Sequence, residues 1–81
     1  MSKYIKLIWD FRGPDAAMTS KHHVEHLNEF IEKNNLAKSF ADMDQLDSNY
    51  SIAFMVVENE KMPFVRDRLK PHRGEMYKTK A

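Results

Sequence analysis

Alternating side chains mark the first strand, which we expect to span residues 3–12. Odd positions carry bulky apolar side chains, namely Ile5, Leu7, Trp9 and Phe11. Even positions are mixed, namely Tyr4, Lys6, Ile8 and Asp10. Successive side chains of a strand point to opposite faces. The pattern therefore predicts one face packed on helices and a second face that mixes polar and apolar groups.

A helical repeat follows from Thr19 to Leu36. Apolar residues recur every three or four positions and form one stripe, which consists of Val24, Leu27, Phe30 and Ile31. Thr19 or Ser20 is the expected N-cap, and the pair Asn34 and Asn35 is the expected left-handed end. The stripe predicts a helix that packs with one face on the sheet.

Two further strands and a second helix complete the pattern. We expect strands at 36–43 and 50–57, joined by a polar connection rich in aspartate. Pro63 suits the first turn of a short helix that ends before Pro71. Residues 75–81 should form either a short last strand or a tail. The order β-α-β-β-α-(β) predicts a ferredoxin-like α+β fold, a single domain whose antiparallel sheet has two helices on one face.

The strand expected at 50–57 is apolar on both faces, so it should lie centrally and be covered twice. One core should contain Ile5, Leu7, Trp9, Val24, Leu27, Ile31, Phe54 and Phe64. Two short helices cover one face of the sheet, and a chain of 81 residues leaves nothing for the other. We therefore expect a homodimer formed through the sheet, since two-fold pairing is the commonest symmetry.

Composition narrows the class of protein. The absence of cysteine excludes disulfides, thiolate chemistry and Cys-based zinc sites. No apolar run approaches the roughly 20 residues that span a bilayer. The first residues also lack the cleavage site of a signal peptide, so we expect a cytoplasmic protein without membrane contact. Residues 65–81 are basic but lack interleaved aromatic side chains, which does not favour nucleic acid as a partner.

Three of the four histidines lie in the long helix. His22, Glu25 and His26 match the H-x-x-E-H pattern, with both histidines one turn apart. The pattern is short, and no third ligand is evident. We therefore expect no bound metal and no cofactor.

His23 lies on the border of the apolar stripe, beside Val24 and Leu27. A half-buried histidine at a helix start can have its protonation tuned and act as a general acid or base. The alternative is a packed histidine that makes one hydrogen bond. Spacing alone favours the packed histidine.

The segment from His23 to Leu27, with Phe30 and Leu36 after it, resembles the first helix of the YCII-related family. Residues 4–9 and 51–58 are similar to the family's first and third strands. Asn34 stands where the family has a glycine at the end of the helix, and residues 62–64 are similar to the entry of its second helix.

The resemblance implies a dimer whose sheets face each other, with a cleft between sheet and helix. It makes His23 the equivalent of the family's helix histidine. Met62 stands where the family has the acid that pairs with this histidine, and Asp10 is the substitute we consider. Tyr4 and Lys6 lie beside Asp10 on the mixed face and are the expected ligand-binding residues.

Two functions follow from these observations. The first is a dimeric module that binds a small organic ligand in a cleft between sheet and helix. The second is a cofactor-free lyase-like or isomerase-like enzyme, with His23 as general acid or base and Asp10 as the second catalytic residue. The direction in which His23 points would distinguish them.

Overall fold

A computed structural model describes residues 3–77 of the chain and contains four strands and two helices. These elements are β1 (Tyr4–Arg12), α1 (Ala16–Lys33), β2 (Phe40–Asp47), β3 (Tyr50–Glu58), α2 (Met62–Leu69) and β4 (Arg73–Tyr77). A single 3-10 turn, Asn59–Lys61, leads from β3 into α2. Within the described part of the chain, no helix is long and apolar enough to cross a membrane.

The four strands form one antiparallel sheet in the order β2-β3-β1-β4. The two central strands, β1 and β3, pair along their whole length, from Tyr4 opposite Glu58 to Arg12 opposite Tyr50. This arrangement confirms the predicted ferredoxin-like α+β fold.

The helices cover one face of the sheet and enclose the main core there. Its buried members are Leu7, Trp9, Leu27, Leu36, Ala53, Met55, Val57 and Val65. Alternation in β1 and β3 directs the side chains that these two strands contribute to the helical side. The predicted stripe of α1 packs against them through Leu27, which is fully buried, with Val24, Phe30 and Ile31 partly buried around it.

A second apolar cluster lies on the face of the sheet that no helix of the described chain covers, which we call the open face. It consists of Ile8, Ile52, Phe54 and Val56, all at most 9% exposed. Aromatic rings from both edges of the sheet close over it, since Phe40 of β2 lies 5.9 Å from Tyr77 of β4 between ring centroids. The prediction that Phe54 shares the helix-side core is therefore wrong.

Phe64 is also outside the predicted core, because it is 38% exposed. Its ring lies against Phe30, with centroids 5.9 Å apart, and under the guanidinium of Arg68 at 5.1 Å. In α2 the fully buried residue is Val65. A helix of only two turns buries a narrow strip, and the neighbouring aromatic position falls at its margin.

The first helix begins earlier than predicted. Thr19 and Ser20 lie inside α1, and Asp15 stands at its N-cap without a side-chain hydrogen bond to the helix. Ser20 is buried and its hydroxyl donates to the carbonyl of Ala17 at 3.0 Å, so it bonds within the helix instead of starting it. The left-handed end is confirmed at Asn35, whose φ is 55°.

The second strand begins at Phe40 rather than at Leu36, and it contains the three aspartates of the expected polar connection, Asp42, Asp44 and Asp47. As an edge strand, β2 alternates: Ala41 and Met43 lie on the helical side, paired with buried residues of β3, while Asp42 and Asp44 lie on the open face. The connection that remains is the turn between Asp47 and Tyr50.

The last strand begins at Arg73, two residues before the predicted range, and includes Met76 and Tyr77. The remainder of that predicted range, 78–81, lies outside the described residues.

Leu27→Ala should lower the free energy of unfolding by about 2–5 kcal/mol, because the truncated side chain leaves a cavity in the core. Met18→Ala in the same helix is the matched control. Met18 is 64% exposed, so its replacement should lower the free energy of unfolding by less than about 0.5 kcal/mol. Equilibrium denaturation measures both, and equal losses would contradict the assignment of the buried face.

Candidate functional site

A groove of about 560 Å³ separates α2 from β4 on the helical side of the sheet. Its apolar surface is formed by Ile5, Leu7, Met62 and Met76, and its rim carries the side chains of Arg66 and His72. Arg73 and Glu75 of β4 also line it. The volume falls within the range of small-molecule sites, which combine apolar walls with a few polar groups. The groove is therefore the candidate site.

Gly74 keeps the floor of the groove open. It pairs with Leu7 across the β1–β4 ladder. A Cβ at this position would lie 3.3 Å from Cδ2 of Leu7 and 3.8 Å from Cγ2 of Ile5. A glycine inside a strand commonly marks such a close approach. Any larger side chain at position 74 would enter the space above the two β1 residues.

His72 is held on the edge of β1 just before β4 begins. Its backbone N–H donates to the carbonyl of Ile8 at 2.9 Å, and its Nδ1 accepts from the backbone N–H of Asp10 at 2.9 Å. An imidazole nitrogen that accepts a hydrogen bond carries no proton, so in the neutral ring the proton is on Nε2. The backbone of β1 thus fixes the side chain as a donor through Nε2.

Asp10 lies on the open face, where both of its carboxylate oxygens accept hydrogen bonds. Its carboxylate accepts from the hydroxyl of Tyr50 at 2.6 Å and from Nε and Nη2 of Arg73 at 3.2 and 3.1 Å. The hydrogen bonds from Arg73 and Tyr50 lower the pKa of Asp10 against a smaller opposing effect of burial. Asp10 is therefore an ionised acceptor that holds β3 and β4 to β1.

Tyr4 and Lys6 share the open face with Asp10 but do not line the groove. Tyr4 packs on the cluster around Ile8, and Nζ of Lys6 lies 4.3 Å above the ring of Phe54. The structure thus brings three of the four predicted site residues to one face of the sheet. It is the face opposite the groove.

The fourth predicted residue, His23, lies on the helical side, between the rings of Trp9 and Phe11. The centroid distances are 4.8 and 5.5 Å. Its Nε2 is buried and has no hydrogen-bond partner within residues 3–77. Burial, and to a lesser extent the charges of His26 and His72, lower the pKa of His23.

His23 and Asp10 therefore lie on opposite faces of β1. No hydrogen bond or ion pair joins His23 to a carboxylate in the described chain. His23 points into packed side chains, and it does not line the groove beside α2.

His22 and His26 are exposed on α1. Residues 3–77 contain no group of three His, Cys, Asp or Glu side chains that could hold a metal ion. The expectation of a protein without metal or cofactor stays a prediction.

The groove residues were not identified from the sequence. In the sequence, Arg66 belongs to no motif, and Met62 stands out only as the residue that replaces the acid of the related family. His72 and Gly74 carried no assignment, although a glycine next to an expected strand is a signal for close backbone approach.

No family model, curated protein or solved structure matched this chain in the comparisons. The resemblance to the YCII-related family therefore stays a prediction. Any functional conclusion has to come from the geometry of the groove and of the open face.

The lowered pKa of His23 should make stability depend on pH. A histidine whose pKa is lowered in the fold is stabilised in its neutral form, so the unfolded chain binds more protons near the ordinary value of 6.5. The free energy of unfolding should therefore fall as the pH drops below 6.5. His23→Gln should reduce this slope by up to about 1.4 kcal/mol per pH unit, the value for one proton.

Denaturant unfolding from about pH 7 to about pH 5 measures the slope. His22→Gln replaces the exposed neighbour and should keep the wild-type slope. A His23→Gln protein with an unchanged slope would show that His23 titrates alike in the folded and unfolded chains.

Proposed function

We propose that this protein is a binding module for a small organic ligand, which it holds in the groove between α2 and β4. The observation that carries the proposal is a groove with an apolar floor and two polar side chains at its rim. It lies between sheet and helix, where the resemblance to the YCII-related family implies a cleft. The cytoplasmic location stays a prediction from the sequence.

The apolar residues of the groove suit a variable ligand surface. Met76 is 59% exposed, so much of its side chain is accessible to a ligand. Met62 faces it from α2. Methionine side chains are unbranched and polarizable, so they adapt to ligands of different shape.

Binding accounts for the geometry better than catalysis by His23. An acid–base catalyst must lie within hydrogen-bond reach of the reacting group. His23 instead packs between Trp9 and Phe11. The carboxylate expected to assist it, Asp10, is on the other face and bonded to Tyr50 and Arg73.

A homodimer through the open face is the second part of the proposal. The apolar centre of this face is already buried within one chain, so charge must contribute much of the attraction. Asp42 and Asp44 lie on the open face of β2, at one edge of the sheet. The half formed by β1 and β4 is net positive, since Lys6, Arg12 and Arg73 outnumber Asp10 and Glu75. When two copies pair about a two-fold axis parallel to the strands, the acidic edge of each copy lies over the basic half of its partner. The same pairing covers the exposed ring of Phe40.

Gly74→Leu should weaken ligand binding, because the new side chain occupies the floor of the groove. The neutral dye N-phenyl-1-naphthylamine, which brightens in apolar sites, serves as the probe. We expect saturable fluorescence with the wild type and at least about a fivefold weaker affinity in the variant, the loss for one displaced apolar contact of about 1 kcal/mol.

Gln45→Leu is the matched control, since it places the same side chain at an exposed position of the edge strand β2, outside the groove. It should leave the affinity unchanged. A cooperative thermal unfolding transition in each variant serves as the check that both variants fold. Equal affinity of Gly74→Leu and wild type would mean that the dye binds elsewhere, and the groove would lose its role.

Light scattering should give twice the monomer mass of 9.6 kDa at low salt. Raising the salt concentration should shift the mass toward the monomer, because the pairing of charged edges is screened. A monomer mass at low salt would exclude the dimer, and a salt-independent dimer would exclude the charge argument.

A further inference from the structure

The polar groups of the groove carry a charge pattern that selects a class of ligand. Arg66 reaches the groove from α2, and its Nε donates to Asp67 at 3.3 Å. Both side chains of this pair are more than half exposed. Such surface pairs contribute little free energy, so a ligand can compete for the guanidinium. Within residues 3–77, neither Nη atom of Arg66 donates a hydrogen bond.

The other charged residues that line the groove, Arg73 and Glu75, belong to β4, and their side chains point to the open face. Arg73 pairs with Ile8, and its guanidinium is bound to Asp10 on the open face. Glu75 pairs with Lys6 and lies on the same open face by alternation. The net charge presented to a molecule in the groove is therefore the positive charge of Arg66.

His72 adds a hydrogen-bond donor at the same rim. Its Nδ1 is occupied by the backbone N–H of Asp10, so Nε2 carries the proton and is directed away from that amide. A donor whose tautomer is fixed by the main chain is preorganised and loses little entropy on binding. A guanidinium fork and an N–H donor next to apolar walls suit a carboxylate attached to an apolar chain or ring.

We propose that the ligand of this groove is an apolar organic acid. Its carboxylate bonds to Arg66 and to Nε2–H of His72, and its apolar part lies over Gly74 between Leu7, Met62 and Met76. This inference rests on the proposed function, since it names the ligand class of the same groove.

Octanoate and 1-octanol form a probe pair that differs in the carboxylate. Their affinities for the wild type are measured by calorimetry, together with those for Arg66→Gln and Arg68→Gln. Arg68 is on the same helix but stacks on Phe64, so its variant removes the same charge outside the groove. Octanoate should bind the wild type about three- to tenfold more tightly than octanol.

Arg66→Gln should remove that preference and leave the octanol affinity unchanged, while Arg68→Gln should retain the preference. His72→Asn keeps an acceptor for the Asp10 amide but loses the Nε2 donor, so it should reduce the preference in part. Equal binding of both probes to the wild type, or an unchanged preference in Arg66→Gln, would overturn the organic-acid assignment while the groove stands as a binding site. Failure of both probes to bind would overturn the proposed function itself.

Discussion

The alternation of β1 is the constraint on which the rest of the structure depends. This central strand pairs with β3 over nine residues and with β4 over five. Its odd side chains anchor the helices through Leu7 and Trp9, and its even side chains build the open face through Ile8 and Asp10. A shift of one residue in its register would exchange the two sets, exposing Trp9 and burying an ionised carboxylate.

The unequal lengths of β1 and β4 produce the candidate site. Pairing with β4 stops at Ile8, so the next backbone groups of β1 have no strand partner on the edge that faces β4. His72 takes that place with its own N–H and its Nδ1. The main chain enters β4 at Arg73, which binds Asp10, and Gly74 then opens the floor beside α2. One edge of one strand thus positions both the groove and the network on the opposite face.

The sequence predicted the elements whose two sides differ in composition and failed where they do not. In β1 the contrast between Trp9 and Asp10 identified the faces. In β3 both faces are apolar, so nothing assigned Phe54 to the open side. Ser20 has the chemistry of an N-cap, yet its hydroxyl bonds within the helix. Arg66, His72 and Gly74 follow no motif spacing, since only the β1–β4 register and the position of α2 bring them together.

The central claim is that the groove between α2 and β4 holds the ligand, and amide chemical-shift mapping by NMR during titration with octanoate tests it most directly. The account predicts shifts that saturate together at Leu7, Met62, Gly74 and Met76. Residues of a different surface groove, Met18 and Met43 beside α1, should stay unchanged. Saturating shifts confined to that other groove, or to Phe40 and Tyr77 on the open face, would contradict it.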